Sequence, residues 1–195
     1  MSEAHHRKKE PDQVRGALLN CAARITAEVG LGNLTLEAVS KAAGVTKGGL
    51  FHHFSNKKAL VEAMIEKVIS ELDQMIDEHM ANDDMEYGRF TRAYVDVAFL
   101  EEYLNPADPW AALCMSSIHE HELQNRWAKW MVQRLRDHES TDNDPTLEIV
   151  RLAADGAWIA FMLQAQNSEY SLDVPALRER LIAMTRKSEI FERKK

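Results

Sequence analysis

This chain has little of what staples, breaks or bends a fold. Two cysteines, Cys21 and Cys114, occur in 195 residues. That is too few for a disulfide framework, and they read as reduced thiols packed like small apolar side chains. No apolar run approaches the ~20 residues that span a bilayer. The basic residues of MSEAHHRKKEPD lead into no apolar stretch, so neither a membrane anchor nor a secretory leader is expected and the protein is placed in the cytoplasm. Strand-type alternation and internal repeats are also missing. So are a phosphate-binding loop, a nucleophile elbow and paired-cysteine zinc spacing. In His119-Glu120-His121-Glu122 the two histidines lie two apart, where helical side chains diverge. The run reads as a polar turn, and no metal or cofactor is expected.

What is present is a helical pattern with an uneven charge. Apolar content is 45% and charged content 28%, ordinary for a globular protein. The net charge of −7 divides sharply. Residues 1–58 carry nine Lys/Arg against five Asp/Glu, a net +4, which leaves −11 on the remainder. A basic segment ahead of an acidic one directs the first toward phosphate and keeps the second away from it.

The organising stretch is LTLEAVSKAAGVTKGGLFHHFSNKKAL, residues 34–60. Thr35 is placed to cap a short helix carrying Leu36, Val39 and Ala42/Ala43 at helical spacing. Gly44 follows where a positive φ is wanted. Thr46 caps a second helix that Leu50, Phe51 and Phe54 pin inward. Two short helices with a glycine in the turn make a helix-turn-helix, whose second helix enters the major groove by its N-terminal residues. Here these are Thr46, Lys47, Gly48 and Gly49. Glycines near a helix start cost roughly 1 kcal/mol each against Ala, which suits a backbone that must approach something bulky. Before the pair, Pro11 suits a first helical position. Val14, Ala17/Leu18, Cys21/Ala22, Ile25 and Val29 then form a stripe, closed by Gly30. Residues 1–10, with His5, His6, Arg7, Lys8 and Lys9, read as a mobile basic arm. Ser55 is expected to cap a long helix over 56–80.

GVTKGGLFHHFSNKKALVEAM, residues 44–64, resembles the signature of the tetracycline-repressor family of bacterial regulators, and the likeness covers roughly residues 11–64. It rests on Gly44, Thr46, the Phe51–Phe54 run, Lys57 and Leu60. The resemblance implies an all-α fold, with a helix-turn-helix DNA-binding domain over 1–55 and a helical effector-binding and dimerisation domain over 56–195. It places Thr35, Thr46, Lys47, Gly48, Gly49, Phe51, His52, His53 and Lys57 at the DNA. The family usually has Tyr at position 51, with its hydroxyl on a phosphate. Phe51 cannot make that bond, and His52 is the candidate to take over part of it.

Beyond residue 80 the pattern stays helical, with helices expected at about 85–104, 108–117, 119–138, 145–167 and 173–190, and a polar loop at 139–145. The helix from 145 is apolar on two sides. Leu147, Val150, Ala154, Ala157/Trp158 and Phe161 line one, and Ile149, Leu152/Ala153, Gly156, Ile159/Ala160 and Leu163 the other. Such a helix is buried twice, once in its own domain and once against a second subunit. The chain beyond residue 80 also holds all four Trp and all four Tyr. Asp96 and Asp155 lie in apolar runs, where a carboxylate needs a partner. Arg151, four before Asp155, offers a helical ion pair. Tyr94, Trp110, Asp155 and Trp158 are the candidate effector pocket, suited to a lipophilic ligand, neutral or cationic. The reading is a homodimeric repressor on a pseudo-palindromic duplex operator, released by that effector. Two alternatives stay open: a helical small-molecule enzyme with a vestigial helix-turn-helix, and a DNA-binding regulator governed by a protein partner.

Overall fold

The computed structural model describes residues 3–101, 103–105, 107–117, 120–163 and 172–186. Every regular element among them is helical, as the sequence predicts. The order is α1 (Glu3–Val29), a 3₁₀ turn (Leu31–Asn33), α2 (Leu36–Ala42), α3 (Lys47–His53) and α4 (Lys57–Ala81). There follow α5 (Arg89–Ala98), α6 (Pro109–Ser117), α7 (His121–Asp137), α8 (Glu139–Asp142), α9 (Pro145–Leu163) and α10 (Val174–Met184). None is long and apolar enough to cross a membrane among the described residues.

Two compact units emerge, and their boundary does not fall at residue 55. One comprises Met1–Ile69 with Ala107–Asn125, the other Ser70–Pro106 with Arg126–Lys195. The reason is packing. Helix α4 continues without a break to Ala81, and α6 packs on α1, which draws residues 107–125 into the N-terminal cluster. The first unit's core joins Leu18 and Ala22 of α1 to Leu34, Val39, Leu50, Phe54, Leu60 and Met64, with Leu113 and Leu123. The second is built on α5, against which α8, α9 and α10 pack. Phe90, Val95 and Val97 are fully buried there with Ile76, Val150 and Ala154.

Several expected boundaries move. Helix α1 runs back to Glu3 through the stretch read as an arm, with Pro11 inside it. Glu, Ala, Arg and Lys are strong helix formers, and Pro11 forfeits one backbone bond without ending the helix. Both α2 and α6 cover α1, so its buried arc is wider than one stripe. Leu19 and Ala23 are inside, while Val29 is 47% exposed. Helix α5 is shorter than 85–104. Gly88 precedes it at φ +71, and a Cβ there would stand 3.1 Å from Thr185 O and 3.2 Å from Leu147. Arg92 holds the loop before it by donating to Tyr87 O at 2.7 Å and to Met85 O. The polar loop 139–145 contains α8, because Asp142 is drawn inward and only 1% exposed. Of the sequence reading, His119 and the expected helix ends at 164–167 and 187–190 lie outside the described residues.

Candidate nucleic-acid interface

The head of the chain is assembled from three short-range N-terminal caps and one glycine turn. Thr35 is extended and its hydroxyl accepts from Ala38 N–H at 3.2 Å, opening α2. At the other end, Gly44 N–H bonds Lys41 O at 3.2 Å and Val45 N–H bonds Ser40 O at 3.0 Å. These paired bonds require a left-handed residue between them, and Gly44 supplies it at φ +67. Val45 then packs on the core cluster. Thr46 accepts from Gly49 N–H at 3.1 Å and opens α3. The third cap is Asn56 rather than Ser55. Its Oδ1 accepts from Ala59 N–H at 2.9 Å, and Asn is among the strongest capping residues.

The caps set which side of α3 is free. Leu50 is fully buried and Phe54 is 2% exposed. Phe51, expected to pin the helix inward, is instead 42% exposed. It lies one residue past Leu50, which rotates it about 100° out of the core. Thr46, Lys47, Gly48 and His52 are exposed with it, and His53 is half-buried. Lys47 Nζ stands 5.9 Å from the centre of the Phe51 ring. The two glycines have different reasons. A Cβ on Gly49 would crowd the Thr46 hydroxyl at 3.3 Å and disturb the cap. One on Gly48 would meet nothing nearer than 4.0 Å, so nothing within the chain calls for glycine there.

Lys57 opens α4 and donates to Gly32 O at 2.8 Å, tying that helix to the 3₁₀ turn. An ammonium has three donors, so the bond leaves two for an anion. The Arg15 guanidinium sits 5.3 Å from the centre of the Phe54 ring. Lys58 bonds Glu122 at 2.8 Å.

The four candidate effector residues are not all brought together. Trp110 belongs to the first unit, with Lys67 Nζ 5.0 Å from its ring centre. The other three belong to the second. Tyr94, 4% exposed, donates its hydroxyl to Asp155 Oδ1 at 2.5 Å. Trp158 Nε1–H donates to Tyr103 O at 2.9 Å. Burial pushes the Asp155 carboxyl up, against the lowering effects of the Tyr94 hydrogen bond and the Arg151 charge. Burial, with the Asp155 charge, also pushes the Tyr94 hydroxyl well above its usual range.

The expected ion pair between Arg151 and Asp155 is replaced by another arrangement. Arg151 Nη1 donates to Thr91 Oγ1 at 2.6 Å and more weakly to Asp142 O at 3.4 Å. Thr91 in turn donates through its hydroxyl, at 2.6 Å, and its N–H, at 2.8 Å, to Asp142 Oδ1. This buried Arg151–Thr91–Asp142 chain had no local signal, since its members are 51 and 60 residues apart. Asp96 is half-buried and finds its partners at a cleft. It accepts from Arg178 at 2.6 Å with His79 Nδ1 at 3.7 Å. It lines an open cleft of about 640 Å³ with Glu78, Asp83 and Arg186.

Helix α9 has the two apolar sides the sequence predicts. Leu147, Val150 and Ala154 are fully buried, while Ile149, Leu152 and Leu163 are 57%, 62% and 68% exposed.

Residues 18–64 match the family model described as bacterial regulatory proteins, tetR family. Residues 88–186 match that of the tetracyclin repressor-like C-terminal domain. The HTH-type transcriptional regulator BetI of Pseudomonas paraeruginosa is 29% identical over 133 residues, 66% of this chain and 64% of BetI. BetI of Yersinia pestis is 29% identical over 112 residues, 56% of this chain and 57% of the relative. The matches thus span less than two thirds of these relatives' length. Among solved structures, the multidrug binding protein EbrR with malachite green superposes at a TM-score of 0.68 with 17% identity, over 87% of this chain and 96% of EbrR. EbrR with ethidium gives 0.59 and 19%, over 88% and 97%. At these identities the likeness is one of fold.

Proposed function

The chain belongs to the tetracycline-repressor (TetR) family of DNA-binding transcriptional regulators, and from there we propose that it is a homodimeric, effector-released repressor acting in the cytoplasm. The observation that carries the DNA reading is α3. It is capped by Thr46, anchored by Leu50 and Phe54, and leaves Lys47, Gly48, Phe51 and His52 open on one side. Thr35, Gly49 and His53 shape that surface, and Lys57 keeps donors for a phosphate. The exposed side of α9 supports the dimer: Ile149, Leu152 and Leu163 line a stripe whose Gly156 has open space at its Cβ position. Two α3 helices related by a two-fold axis read half-sites one helical turn, or a multiple of it, apart.

The effector reading rests on the Tyr94–Asp155 pair and nearby Trp158. A half-buried carboxylate with no guanidinium bonded to it attracts a cation, and aromatic faces add roughly 0.5–2 kcal/mol each when desolvated. Malachite green and ethidium, the EbrR ligands, are both lipophilic aromatic cations. Trp110 is the weakest member of the set. Occupancy repositions the α4 helices and spoils the half-site spacing, with a coupling of roughly 1–3 kcal/mol.

The test is selection of bound duplexes from a random DNA library by the full chain, followed by footprinting and light scattering. A two-fold symmetric footprint bound by a dimer is expected, with Leu152→Arg giving monomers and weak binding. Ala157 packs against the second unit's own core, so substitution there probes folding instead. A selection that enriches no sequence, or a wild-type monomer that binds at full affinity, overturns the proposal. Turnover of a bound ligand would move the reading to the enzyme alternative.

A further inference from the structure

We propose that Phe51 reads a thymine methyl group in the major groove, making it a determinant of operator sequence; the inference rests on the DNA-binding reading of α3. An exposed phenylalanine by itself requires no partner. This one has a particular setting. Leu50 and Phe54, its apolar neighbours, carry the packing of α3 into the core at 0% and 2% exposure, so Phe51 at 42% is not held there by the core. One turn back on the same face are Lys47 and Gly48, at i−4 and i−3. Gly48 has no side chain to lay over the ring. Lys47 supplies only its ammonium, 5.9 Å from the ring centre. The result is a bare aromatic surface beside a cation, on the open side of a helix whose N-terminal half faces outward.

The chemistry then narrows what the ring can recognise. Phe51 has no donor or acceptor, so it cannot bond a phosphate oxygen or a polar base edge. The major groove offers N7, O6, O4 and amino groups, and one apolar group, the C5 methyl of thymine. A ring presented there discriminates only by covering that methyl. Docking the ring face moves the Lys47 ammonium off it, toward a neighbouring guanine edge or phosphate. A lysine can serve either, while the ring cannot.

The experiment uses the duplex selected by the wild-type full chain. Each thymine in turn is replaced by deoxyuridine, which deletes the methyl and leaves every hydrogen-bonding group in place. Affinity is measured by fluorescence anisotropy over a salt series. One thymine per half-site is expected to respond, with about a fourfold loss per methyl removed, the equivalent of one buried methylene-sized group. Phe51→Ala is expected to bind the thymine and uracil duplexes equally, with an unchanged salt slope, because no phosphate contact is lost. Phe51→Leu, which keeps an apolar side chain, is expected to retain part of the preference.

If uracil is tolerated at every position, or Phe51→Ala keeps the full thymine preference, the assignment to Phe51 falls while DNA binding stands. If Phe51→Ala weakens all sequences equally and flattens the salt slope, the ring serves the backbone and the assignment also falls. A chain that selects no DNA removes both readings at once. The uracil series on the wild-type chain decides the methyl requirement even if a variant fails to fold.

Discussion

The head and the second unit solve the same problem, satisfying backbone and side-chain polar groups, at different ranges. In the head, Thr35, Thr46 and Asn56 each bond an N–H three residues on. In the second unit, Asp142 reaches 51 residues back to Thr91, Arg151 reaches 60, and Tyr94 and Asp155 are 61 apart. Arg178 meets Asp96 across 82 residues. A cap with no shared partners is an independent device whose loss stays local and additive. A buried network is a cooperative object, in which removing one member strands the others. The head is therefore repairable piece by piece, and the second unit stands or falls on a few shared atoms.

The sharpest way to break this comparison is Asp142→Ala. The carboxylate is 1% exposed and accepts from Thr91 N–H and hydroxyl, from Thr141 hydroxyl at 2.8 Å and, weakly, from Phe90 N–H at 3.4 Å. Each buried donor left unpaired costs about 1–3 kcal/mol. The expected loss is at least about 3 kcal/mol, or about 6–12 °C in Tm for a chain of this size. Arg151→Met combined with it should be non-additive by more than about 0.5 kcal/mol. Thermal unfolding of the single and double variants decides. A drop under about 2 °C for Asp142→Ala would mean that the network carries little.

The next effect is smaller and belongs to the head. Thr46→Ala removes the cap of α3 at a cost of about 1 kcal/mol, or about 2–4 °C. Thr35→Ala should cost a similar amount, and the double variant should equal the sum of the two within about 0.5 kcal/mol. Thr46→Ala should weaken operator binding more than Thr35→Ala does, since it frays the helix that carries Lys47. Strong coupling between the two caps would contradict the picture of independent devices.

The same contrast of ranges governs what could be read from the chain. Thr35, Gly44 and Thr46 were legible because each declares itself within five residues of its partner. Both sides of α9 were legible because periodicity needs no partner at all: Leu147 and Val150 fall on one side and Leu152 and Leu163 on the other, and only the packing of α5 shows which side is inward. Arg151 was sent to Asp155 because i and i+4 is the only pairing that a linear reading offers. The competing acceptor, Thr91, lies 60 residues away. Phe51 was misplaced because apolar character decides burial only where the helical phase also points inward. Helix α5 was drawn too long because nothing local says that Gly88 takes a positive φ beneath Thr185 O.

The smallest expected effect tests whether Asp155 is kept for a ligand rather than for the fold. Burial raises its carboxyl above the usual 3.8, with the Tyr94 bond and Arg151 acting in the opposite direction. The folded state therefore holds this proton more tightly than the unfolded chain does. The stabilisation associated with that proton is complete below about pH 3.8. It is lost as pH rises through the elevated folded value, and the charged form remains a burden at neutral pH. Asn cannot titrate, yet its carbonyl still accepts from the Tyr94 hydroxyl. Asp155→Asn should therefore equal the parent at low pH and gain relative to it across that window. By pH 7 it should be the more stable of the two in thermal unfolding. The same variant should bind malachite green or ethidium roughly tenfold more weakly, the loss expected when an interaction with a charged acceptor is removed. A thermal-shift series across pH, with each dye and with a fatty acid as the anionic control, measures both. A variant that is less stable at every pH would make Asp155 a structural residue. Stabilisation by the fatty acid alone would place a different chemistry in the pocket.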